Sequence, residues 1–358
     1  MQPRIYTENL KKFGSAKRKW QGIPSIERTK NGDIFVVFYS GGNDEQLGNY
    51  CVLLRGNEWK GFGEPIAAVY AGRFSRCFDP CLYIDAEGRL WLFWSTMPKV
   101  RTWAAICENP LEDVLKWGEP FVVGEGIMLN KPLASSYGVL YPLSVWKDNI
   151  NEQTVKVCRK MKIKKSAIPD GAYAVKLGKD GFKPEGRVRS KKPSYDEHMF
   201  LERRDGVLEV YIRTAENIEK ATSSDGGVHW SEPYDSGIKN PNSRFFIGRL
   251  KSGRILLVNH YKYKGRNNLT ALLSEDDGKT FPFALLLDER NKVSYPDAVE
   301  GENGYIYIVY DRERGSRNQH ETDSAKEILL AKITEDDIIA GKLTGSESRL
   351  KTIVSKLN

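Results

Sequence analysis

The chain has 358 residues, of which 40% are hydrophobic and 11% aromatic, so it can bury a large core and has the length of up to two or three domains. Lys and Arg exceed Asp and Glu by 55 to 47, and the resulting net charge of +8 favours an acidic partner. Because no aromatic-interleaved basic helix accompanies this charge, the sequence argues against a nucleic-acid partner.

The N-terminus, MQPRIYTENLKKFGSAKRKW, contains no apolar run after its charged residues, so no signal peptide is visible. Nothing later in the chain approaches the roughly 18 consecutive apolar residues of a membrane span. We therefore expect no membrane span, and a protein that is either cytoplasmic or secreted after removal of a leader.

A recurrent segment, in which a turn glycine opens a strand of alternating aromatic and aliphatic residues, extends along the whole chain. Its turn glycines, spaced 47 to 68 residues apart, are Gly32, Gly88, Gly138, Gly206, Gly253 and Gly304. A period of about 50 residues with several short strands per unit is typical of propeller blades. We therefore predict an all-β fold, a six-bladed β-propeller of four-stranded antiparallel blades. Residues 1–358 would form one domain, with the ring closed by strands from both ends of the chain.

Two segments outside the repeat carry local signals. The basic cluster Arg159–Lys165 (RKMKIKK) alternates with apolar residues and predicts a strand with one solvated face. Near the C-terminus, Thr334 can cap a short helix with Asp337 three residues later, and Gly341 can end that helix.

The five cysteines form no CxxC pair, and their odd number in a chain of this length does not indicate a disulfide framework. We expect them to be small buried hydrophobic side chains. No His, Cys or Asp spacing supports zinc, and no Gly-rich phosphate loop follows a strand and opens a helix. The sequence therefore predicts no cofactor and no metal site.

Two copies of the pattern Ser-x-Asp-x-Gly-x-x-aromatic lie 51 residues apart, in register with the repeat. They span residues 223–230 (SSDGGVHW) and 274–281 (SEDDGKTF). In such a turn the Asp accepts backbone N–H bonds, the Gly allows positive φ, and the aromatic anchors the turn. The copies resemble the Asp boxes of sialidase-like BNR-repeat propellers, and the resemblance covers nearly the whole chain. Because the boxes of that family lie in rim turns, we expect a structural role for them.

The repeat also nominates a site near the propeller axis. The positions nine residues before each turn glycine hold Ile23, Asp79, Leu129, Glu197, Arg244 and Tyr295. Four of the six are polar or ionisable, whereas a purely structural inner strand would favour aliphatic residues. Because strand ends converge around a propeller axis, these side chains predict a ligand pocket there. Buried ion pairs between blades are the alternative interpretation.

The resemblance implies roles for particular residues. In sialidases a Tyr attacks the anomeric carbon, a Glu takes its proton, three arginines clamp the substrate carboxylate and an early Asp is the acid. Here Tyr295 and Glu197 occupy the positions of the Tyr and the Glu, and Arg213 and Arg244 those of the second and third arginines. Asp44, in the loop GGNDEQ, is the nearest candidate for the acid. With a reference pKa of about 10, Tyr295 needs a base to act near neutral pH.

The first clamp arginine is missing. Sialidases begin with an Arg-Ile-Pro motif, whereas this chain reads GIP at Gly22–Pro24. A charge-assisted hydrogen bond contributes roughly 1.5 to 3 kcal/mol, so this loss would weaken carboxylate binding about ten- to a hundredfold unless Arg76, Arg101 or Lys131 replaces it. The substrate-binding residues that we expect are Arg213, Arg244, Asp79, Arg76, Lys131 and Asp297.

Two histidines open a second mechanism. His198 adjoins Glu197, and His260 ends the strand that follows Arg244. Some propeller enzymes that act on uronic-acid polysaccharides are lyases, in which a His or Tyr removes the C5 proton while positive groups neutralise the carboxylate. Histidines satisfied within the core are the structural alternative.

Three functions remain open at this point. The chain is expected to be an exo-glycosidase that acts on an acidic sugar through Tyr295 and Glu197. The first alternative is a lyase or other hydrolase that acts on a uronic-acid glycan, and the second is a non-catalytic binding propeller, which the missing arginine favours. For the two enzymatic functions the expected partner is an acidic oligosaccharide or glycan.

Overall fold

Six antiparallel β-sheets stand around a common axis, and the predicted six-bladed β-propeller of four-stranded blades is confirmed. The computed structural model describes residues 2–58, 60–146, 152–163, 166–315 and 325–358. Each blade is a contiguous stretch of the chain. In blades 2 to 6 the four strands lie side by side in sequence order, and the strand that comes first in the chain lies at the axis. Blade 1 carries two additional short strands.

The first three blades contain fourteen strands. In blade 1 they are β1 (Arg4–Tyr6), β2 (Trp20–Arg28), β3 (Ile34–Gly41), β4 (Tyr50–Asn57), β5 (Gly61–Phe62) and β6 (Ala67–Tyr70). Blade 2 has β7 (Arg76–Ile84), β8 (Leu90–Met97), β9 (Arg101–Cys107) and β10 (Phe121–Gly124). Blade 3 has β11 (Leu133–Ser135), β12 (Gly138–Val145), β13 (Gly171–Gly178) and β14 (Gly181–Val188).

The last three blades contain twelve strands. Blade 4 has β15 (Pro193–Glu202), β16 (Leu208–Thr214), β17 (Asn217–Ser223) and β18 (Tyr234–Lys239). Blade 5 has β19 (Phe246–Arg249), β20 (Ile255–His260), β21 (Leu269–Ser274) and β22 (Phe283–Asp288). Blade 6 has β23 (Val293–Glu300), β24 (Ile306–Arg312), β25 (Glu327–Ile333) and β26 (Arg349–Lys356). The helices are α1 (Glu152–Lys160), α2 (Glu335–Ala340) and two 3₁₀ turns, Leu10–Phe13 and Ser15–Lys17.

The six turn glycines lie in the hairpins that join the first and second strands of their blades. All six have positive φ, between 76° and 98°, a conformation that disfavours residues with a Cβ. The strands that follow are buried on both faces, because each blade packs against two neighbours. The largest apolar cluster, for example, joins Tyr211 of blade 4, Leu257 of blade 5 and Tyr310 of blade 6. The recurrent glycine therefore marks the point at which each inner hairpin turns.

Ring closure differs from the prediction. Within the described residues, blade 1 uses N-terminal strands only and blade 6 uses C-terminal strands only. The expectation of a sheet shared by both ends was therefore wrong, because each terminal stretch already supplies a complete blade. Side chains join the two blades instead: Gln21 Nε2 donates to the carbonyl oxygens of Lys326, at 2.6 Å, and Ser355, at 3.1 Å.

The strand predicted over Arg159–Lys165 is also wrong. Helix α1 extends through Lys160 and is followed by a turn with Lys162 at φ 51°; Lys164 and Lys165 lie outside the described residues. The segment belongs to an insertion between β12 and β13, so no buried sheet face imposes its alternation. No helix in the described ranges is long and apolar enough to cross a membrane.

The short C-terminal helix and the cysteines agree with the sequence predictions. The Thr334 hydroxyl accepts the Asp337 N–H at 3.2 Å, the Asp337 carboxylate accepts the Thr334 N–H at 2.8 Å, and Gly341 ends α2 at φ 65°. All five cysteines fall in the described residues and carry free thiols; four are buried and Cys158 is half-buried.

Both Asp boxes form hairpins between the third and fourth strands of blades 4 and 5. In the second box the Ser274 hydroxyl donates to Asp276 at 2.8 Å and accepts the Gly278 N–H at 2.9 Å. Asp276 also accepts the backbone N–H of Thr280 at 2.8 Å. These bonds lie within the turn, so the boxes stabilise the rim of the propeller.

We expect Asp276→Ala to lower the melting temperature at neutral pH. Hydrogen bonds from Thr280 and Ser274 hold the pKa of Asp276 well below its usual value. The stabilisation is therefore present above the unfolded pKa of about 3.9 and is lost as the pH falls below it. Thermal unfolding should show a melting temperature below that of the wild type at pH 7, and this difference should shrink in acid. Asp180→Ala, in another exposed turn, serves as the control. A difference of equal size at both pH values would contradict the role of the carboxylate charge.

Candidate active site

The inner strands of four blades carry an irregularity at the same level of the propeller. The register between first and second strands shifts there in blades 1, 2, 4 and 6. The non-glycine residues with positive φ at these points, between 47° and 57°, are Ile23, Asp79, Asp196 and Tyr295. A bulge redirects the side chains of a strand, and strained backbone of this kind concentrates at functional sites. Four of the six periodic positions found in the sequence, those of Ile23, Asp79, Glu197 and Tyr295, therefore lie within these irregularities.

Tyr295, Glu197 and Arg213 meet at the centre of this ring, and all three side chains are buried. Arg213 Nη1 donates to Glu197 Oε2 at 2.7 Å and to the Tyr295 hydroxyl at 2.8 Å. The Tyr295 hydroxyl donates to Glu197 Oε1 at 3.4 Å. A tyrosine that can pass its proton to a carboxylate is thus present, with one guanidinium touching both groups.

Arg213 is held rigidly by its neighbours. Its Nε donates to Asn242 Oδ1 at 2.8 Å, and its Nη2 donates to the Asn242 carbonyl at 2.7 Å. Its guanidinium also lies over the Tyr195 ring, 4.7 Å from the centroid. Four of the five N–H donors of Arg213 are therefore used, which makes it the residue that positions Tyr295 and Glu197.

Two further arginines surround Tyr295. The guanidinium carbons of Arg314, Arg266 and Arg213 lie 4.1, 5.5 and 5.7 Å from the centre of the Tyr295 ring. Arg266 Nη2 donates to the Asn242 carbonyl at 2.7 Å, and no carboxylate of the described residues lies within ion-pair distance of Arg266. Sequence reasoning missed Arg266 and Arg314, because both lie in loops beyond the second strand, outside the periodic positions.

The protonation state of Tyr295 follows from this setting. Burial raises the pKa of its phenol, although the positive charges of Arg213, Arg266 and Arg314 oppose the rise. The phenol is therefore neutral near pH 7, and it requires an adjacent base to become nucleophilic.

Three charged residues of blades 1 and 2 face the same centre. Glu45 Oε2 lies 3.7 Å from Arg76 Nη1, and Glu45 Oε1 lies 3.8 Å from Arg314 Nη1. Burial, together with the charges of Glu45 and Glu197, raises the pKa of Asp79 to about 8. Asp79 is thus a carboxylic acid that keeps its proton near neutral pH.

Asp44, the acid predicted from the sequence, occupies a different setting. Its Oδ1 accepts the backbone N–H of Glu45 at 2.7 Å, and its carbonyl accepts Asn49 Nδ2 at 2.7 Å. These bonds shape the loop, and the next residue, Glu45, is the one that reaches the arginines. The sequence could not distinguish two adjacent acids whose directions depend on the loop conformation.

An apolar cluster packs beside these polar groups. It belongs to a cluster that contains Tyr295 itself and the half-buried side chains Val100 and Trp146. The other members are Trp20, Ile23, Tyr39, Phe78, Met97, Ile127 and Leu129. Aromatic rings beside convergent polar groups are typical of a pocket that binds a sugar ring and orients it through its polar substituents.

Comparison with known proteins agrees with the propeller fold. Residues 179–308 match a family described as a BNR repeat-like domain. This chain has the sialidase-like, BNR-repeat type of β-propeller. No significant relative was found among curated protein sequences.

Several solved structures share this propeller. A Hadza microbial sialidase is 16% identical, with a TM-score of 0.62 over 81% of this chain and 63% of that one, so this chain spans less than two thirds of its length. The leech intramolecular trans-sialidase is 14% identical, with a TM-score of 0.66 over 94% of this chain and 71% of that one. The Ruminococcus gnavus intramolecular trans-sialidase is 14% identical, with a TM-score of 0.66 over 92% and 97%. At such identities the shared feature is the fold.

Three residues predicted to bind substrate form a separate network in this propeller. Arg244 Nε donates to Asn130 Oδ1 at 2.7 Å, and Lys131 Nζ contacts Glu27 at 2.5 Å. Both cations face Asp297, at 3.5 and 3.4 Å. No contact from this network to Tyr295 occurs in the described structure. Arg244, Lys131 and Asp297 therefore fit the alternative of buried ion pairs between blades.

The two predicted histidines are buried among main-chain acceptors. His198 Nδ1 and Nε2 lie 2.9 and 3.0 Å from carbonyl oxygens, and burial lowers its pKa to about 4. His260 Nδ1 lies 2.7 Å from the Asn267 carbonyl, and burial lowers its pKa to about 4 as well. His198 is thus tied into the core, while His260 anchors the loop that carries Arg266.

The remaining candidates lie apart from the cluster around Tyr295 or support it. Arg76 donates to the Tyr39 hydroxyl at 3.4 Å as well as contacting Glu45. Arg101 lines a separate cavity beside Lys99 and Met161. No group of three or more His, Cys, Asp or Glu side chains in the described part of the chain could hold a metal ion.

Proposed function

We propose that this propeller is a glycoside hydrolase that removes a terminal acidic sugar, with Tyr295 as nucleophile and Glu197 as its base. The observation that carries the proposal is the buried contact between the Tyr295 hydroxyl and Glu197 Oε1, at 3.4 Å, inside a ring of arginines. A neutral phenol approaches an electron-poor carbon beside a substrate carboxylate without charge repulsion, which an Asp or Glu nucleophile would suffer.

The reaction that we propose proceeds in two steps with retention at the anomeric carbon. Glu197 takes the phenolic proton as the Tyr295 oxygen bonds to the anomeric carbon, and the bond to the leaving oxygen breaks as Asp79 protonates that oxygen. Water then attacks the glycosyl-tyrosine, with the Asp79 carboxylate as base. Glu197 returns its proton to Tyr295, so both groups regain their starting states.

The acidic character of the proposed substrate rests on charge. Arg266 has no carboxylate partner among the described residues, and Arg213 retains one N–H donor. A guanidinium pairs with a carboxylate through parallel hydrogen bonds, so a substrate carboxylate would give Arg266 the anionic partner that it lacks among the described residues. The leech enzyme of the same fold was solved with 2,7-anhydro-Neu5Ac, which makes sialosides the first substrates to test.

A screen of acidic oligosaccharides with product mass determination tests the proposal. Sialosides and glucuronides should release a free acidic monosaccharide, and a variant with Tyr295→Phe should not. Formation of an unsaturated uronate, detected by its ultraviolet absorbance, would assign lyase chemistry instead. Saturable binding of the panel without turnover would identify a binding propeller.

The role of Asp79 predicts the alkaline limb of the pH profile. Because the pKa of Asp79 is raised to about 8, the proposed acid is protonated below this pH and loses its proton above it. Activity should therefore fall tenfold per pH unit above about 8. Asp79→Asn should lower kcat by about 10² to 10⁴-fold and remove this limb.

Glu45→Gln serves as the comparison, measured through the same pH profile. The negative charge of Glu45 raises the pKa of Asp79, so its removal should move the limb to lower pH. An unchanged kcat and an unchanged limb in Asp79→Asn would assign the acid to Glu45 or another group.

A further inference from the structure

The position of the missing clamp arginine is filled from another blade. A Cβ built on Gly22 would lie 2.6 Å from Cδ and 2.7 Å from Cγ of Arg314, well inside van der Waals contact. Gly22 does not have the left-handed backbone conformation that favours glycine. The need for glycine therefore comes from the close approach of the Arg314 side chain and not from the backbone conformation.

Arg314 is held in this place by both its main chain and its side chain. Its carbonyl accepts the Gln21 N–H at 2.9 Å, which ties the end of β24 to strand β2. Its Nε donates to Asp311 Oδ2 at 2.8 Å, and the same oxygen accepts the Ile23 N–H at 2.7 Å. Asp311 thus fixes Arg314 against the bulge of β2, so the guanidinium is preorganised above Tyr295.

One nitrogen of Arg314, Nη1, donates no hydrogen bond within the described residues. Nε and Nη2 are engaged by Asp311 and Ser294, whereas Nη1 has only the 3.8 Å contact with Glu45 among the described residues. This nitrogen belongs to the guanidinium that lies 4.1 Å from the Tyr295 ring centre. A carboxylate bound beside Tyr295 would find Nη1 available.

We infer that Arg314 supplies from blade 6 the carboxylate-binding guanidinium that the Arg-Ile-Pro motif would supply from blade 1, and that Gly22 provides the space for it. This inference rests on the proposed function. It restores a set of three arginines, Arg213, Arg266 and Arg314. Of the substitutes suggested by the sequence, Arg101 lines another cavity and Lys131 is paired with Glu27, while Arg76 shares the Glu45 carboxylate with Arg314.

Moving the arginine from position 314 to position 22 tests the inference through measurements of ligand binding. The probes are oseltamivir carboxylate, with which the Ruminococcus gnavus enzyme was solved, and its uncharged ethyl ester. Isothermal titration should show that the wild type prefers the carboxylate. Arg314→Ala should weaken carboxylate binding about ten- to a hundredfold while leaving ester binding nearly unchanged. Gly22→Arg combined with Arg314→Ala should recover at least part of the loss, because the new arginine enters the vacated space.

Stability provides a second readout that needs no ligand. Gly22→Ala should lower the melting temperature in the wild-type background but much less in the Arg314→Ala background, since the three atoms nearest to its Cβ all belong to the Arg314 side chain. Arg254→Ala, which removes a partly exposed arginine of the rim, is the matched control and should leave the carboxylate preference unchanged.

The outcomes separate this inference from the proposed function. A wild-type protein without preference for the carboxylate would overturn both the acidic substrate and the role of Arg314. A wild-type preference that survives in Arg314→Ala would overturn only the role of Arg314. Additive effects of Gly22→Ala and Arg314→Ala on the melting temperature would overturn the claim that Gly22 makes space for Arg314. Catalysis itself is decided independently by Tyr295→Phe.

Discussion

Tyr295→Phe is expected to lower kcat on the proposed acidic substrate by on the order of 10⁴-fold or more, because it removes the attacking oxygen while keeping the aromatic ring and its packing. Mass spectrometry of the protein after reaction with a fluorinated glycosyl donor should show a covalent adduct on Tyr295 in the wild type only. Binding of the substrate should change little, since Arg266 and Arg314 remain.

Glu197→Gln completes this prediction. It should lower kcat by about 10² to 10⁴-fold, because the Tyr295 phenol then lacks a proton acceptor. The two residues act as one unit, so the double variant should be little worse than Tyr295→Phe alone. Tyr234→Phe, at an exposed rim tyrosine, is the control. A Tyr295→Phe variant that keeps most of its activity would eliminate the tyrosine mechanism.

Arg213→Gln is expected to destabilise the propeller by about 3 to 5 kcal/mol, the cost of leaving a buried ion pair without one partner. Arg213 and Glu197 are both buried and lie 2.7 Å apart, and Arg213 also uses two acceptors of Asn242. Equilibrium unfolding in guanidinium chloride, followed by circular dichroism, measures the loss.

A double-mutant cycle separates the ion pair from the other contacts of Arg213. In the Glu197→Gln background the same Arg213→Gln change should cost less, because no buried carboxylate is left unpaired. Arg254→Gln, at a partly exposed arginine paired with Glu275 and Glu335, should cost no more than about 1 kcal/mol. If Arg213→Gln lowered the free energy of unfolding by no more than that, the buried pair of Arg213 and Glu197 would not stabilise the propeller as expected.

The two residues of the proposed chemistry could be identified from the sequence because their signals are local. Glu197 and Tyr295 lie nine residues before a turn glycine, and the hairpin register carries this spacing to the axis. The bulges that aim these side chains inward occur at the same repeat position in several blades. Periodicity and resemblance therefore nominated residues that the structure brings together with Arg213.

Sequence periodicity did not predict which arginines surround Tyr295. Arg244 satisfies the period but pairs with Asn130 and Asp297, and the inner hairpin of blade 5 lacks the register shift seen in blades 1, 2, 4 and 6. Arg266 and Arg314 lie in loops whose conformation depends on distant partners, such as the Gln21 N–H that fixes the Arg314 carbonyl. No spacing in the chain records that contact.

The sequence by itself determined the blade repeat, the turn glycines, the Asp boxes and the capped helix α2, since each depends on residues a few positions apart. Only the tertiary structure decided how the ring closes, which acid of the pair Asp44 and Glu45 faces the centre, and which arginines surround Tyr295. Those outcomes depend on side chains from different blades that compete for the same space and charge. Gly22 and Arg314 are nearly three hundred residues apart in the chain, and their fit exists only once the first and last blades meet.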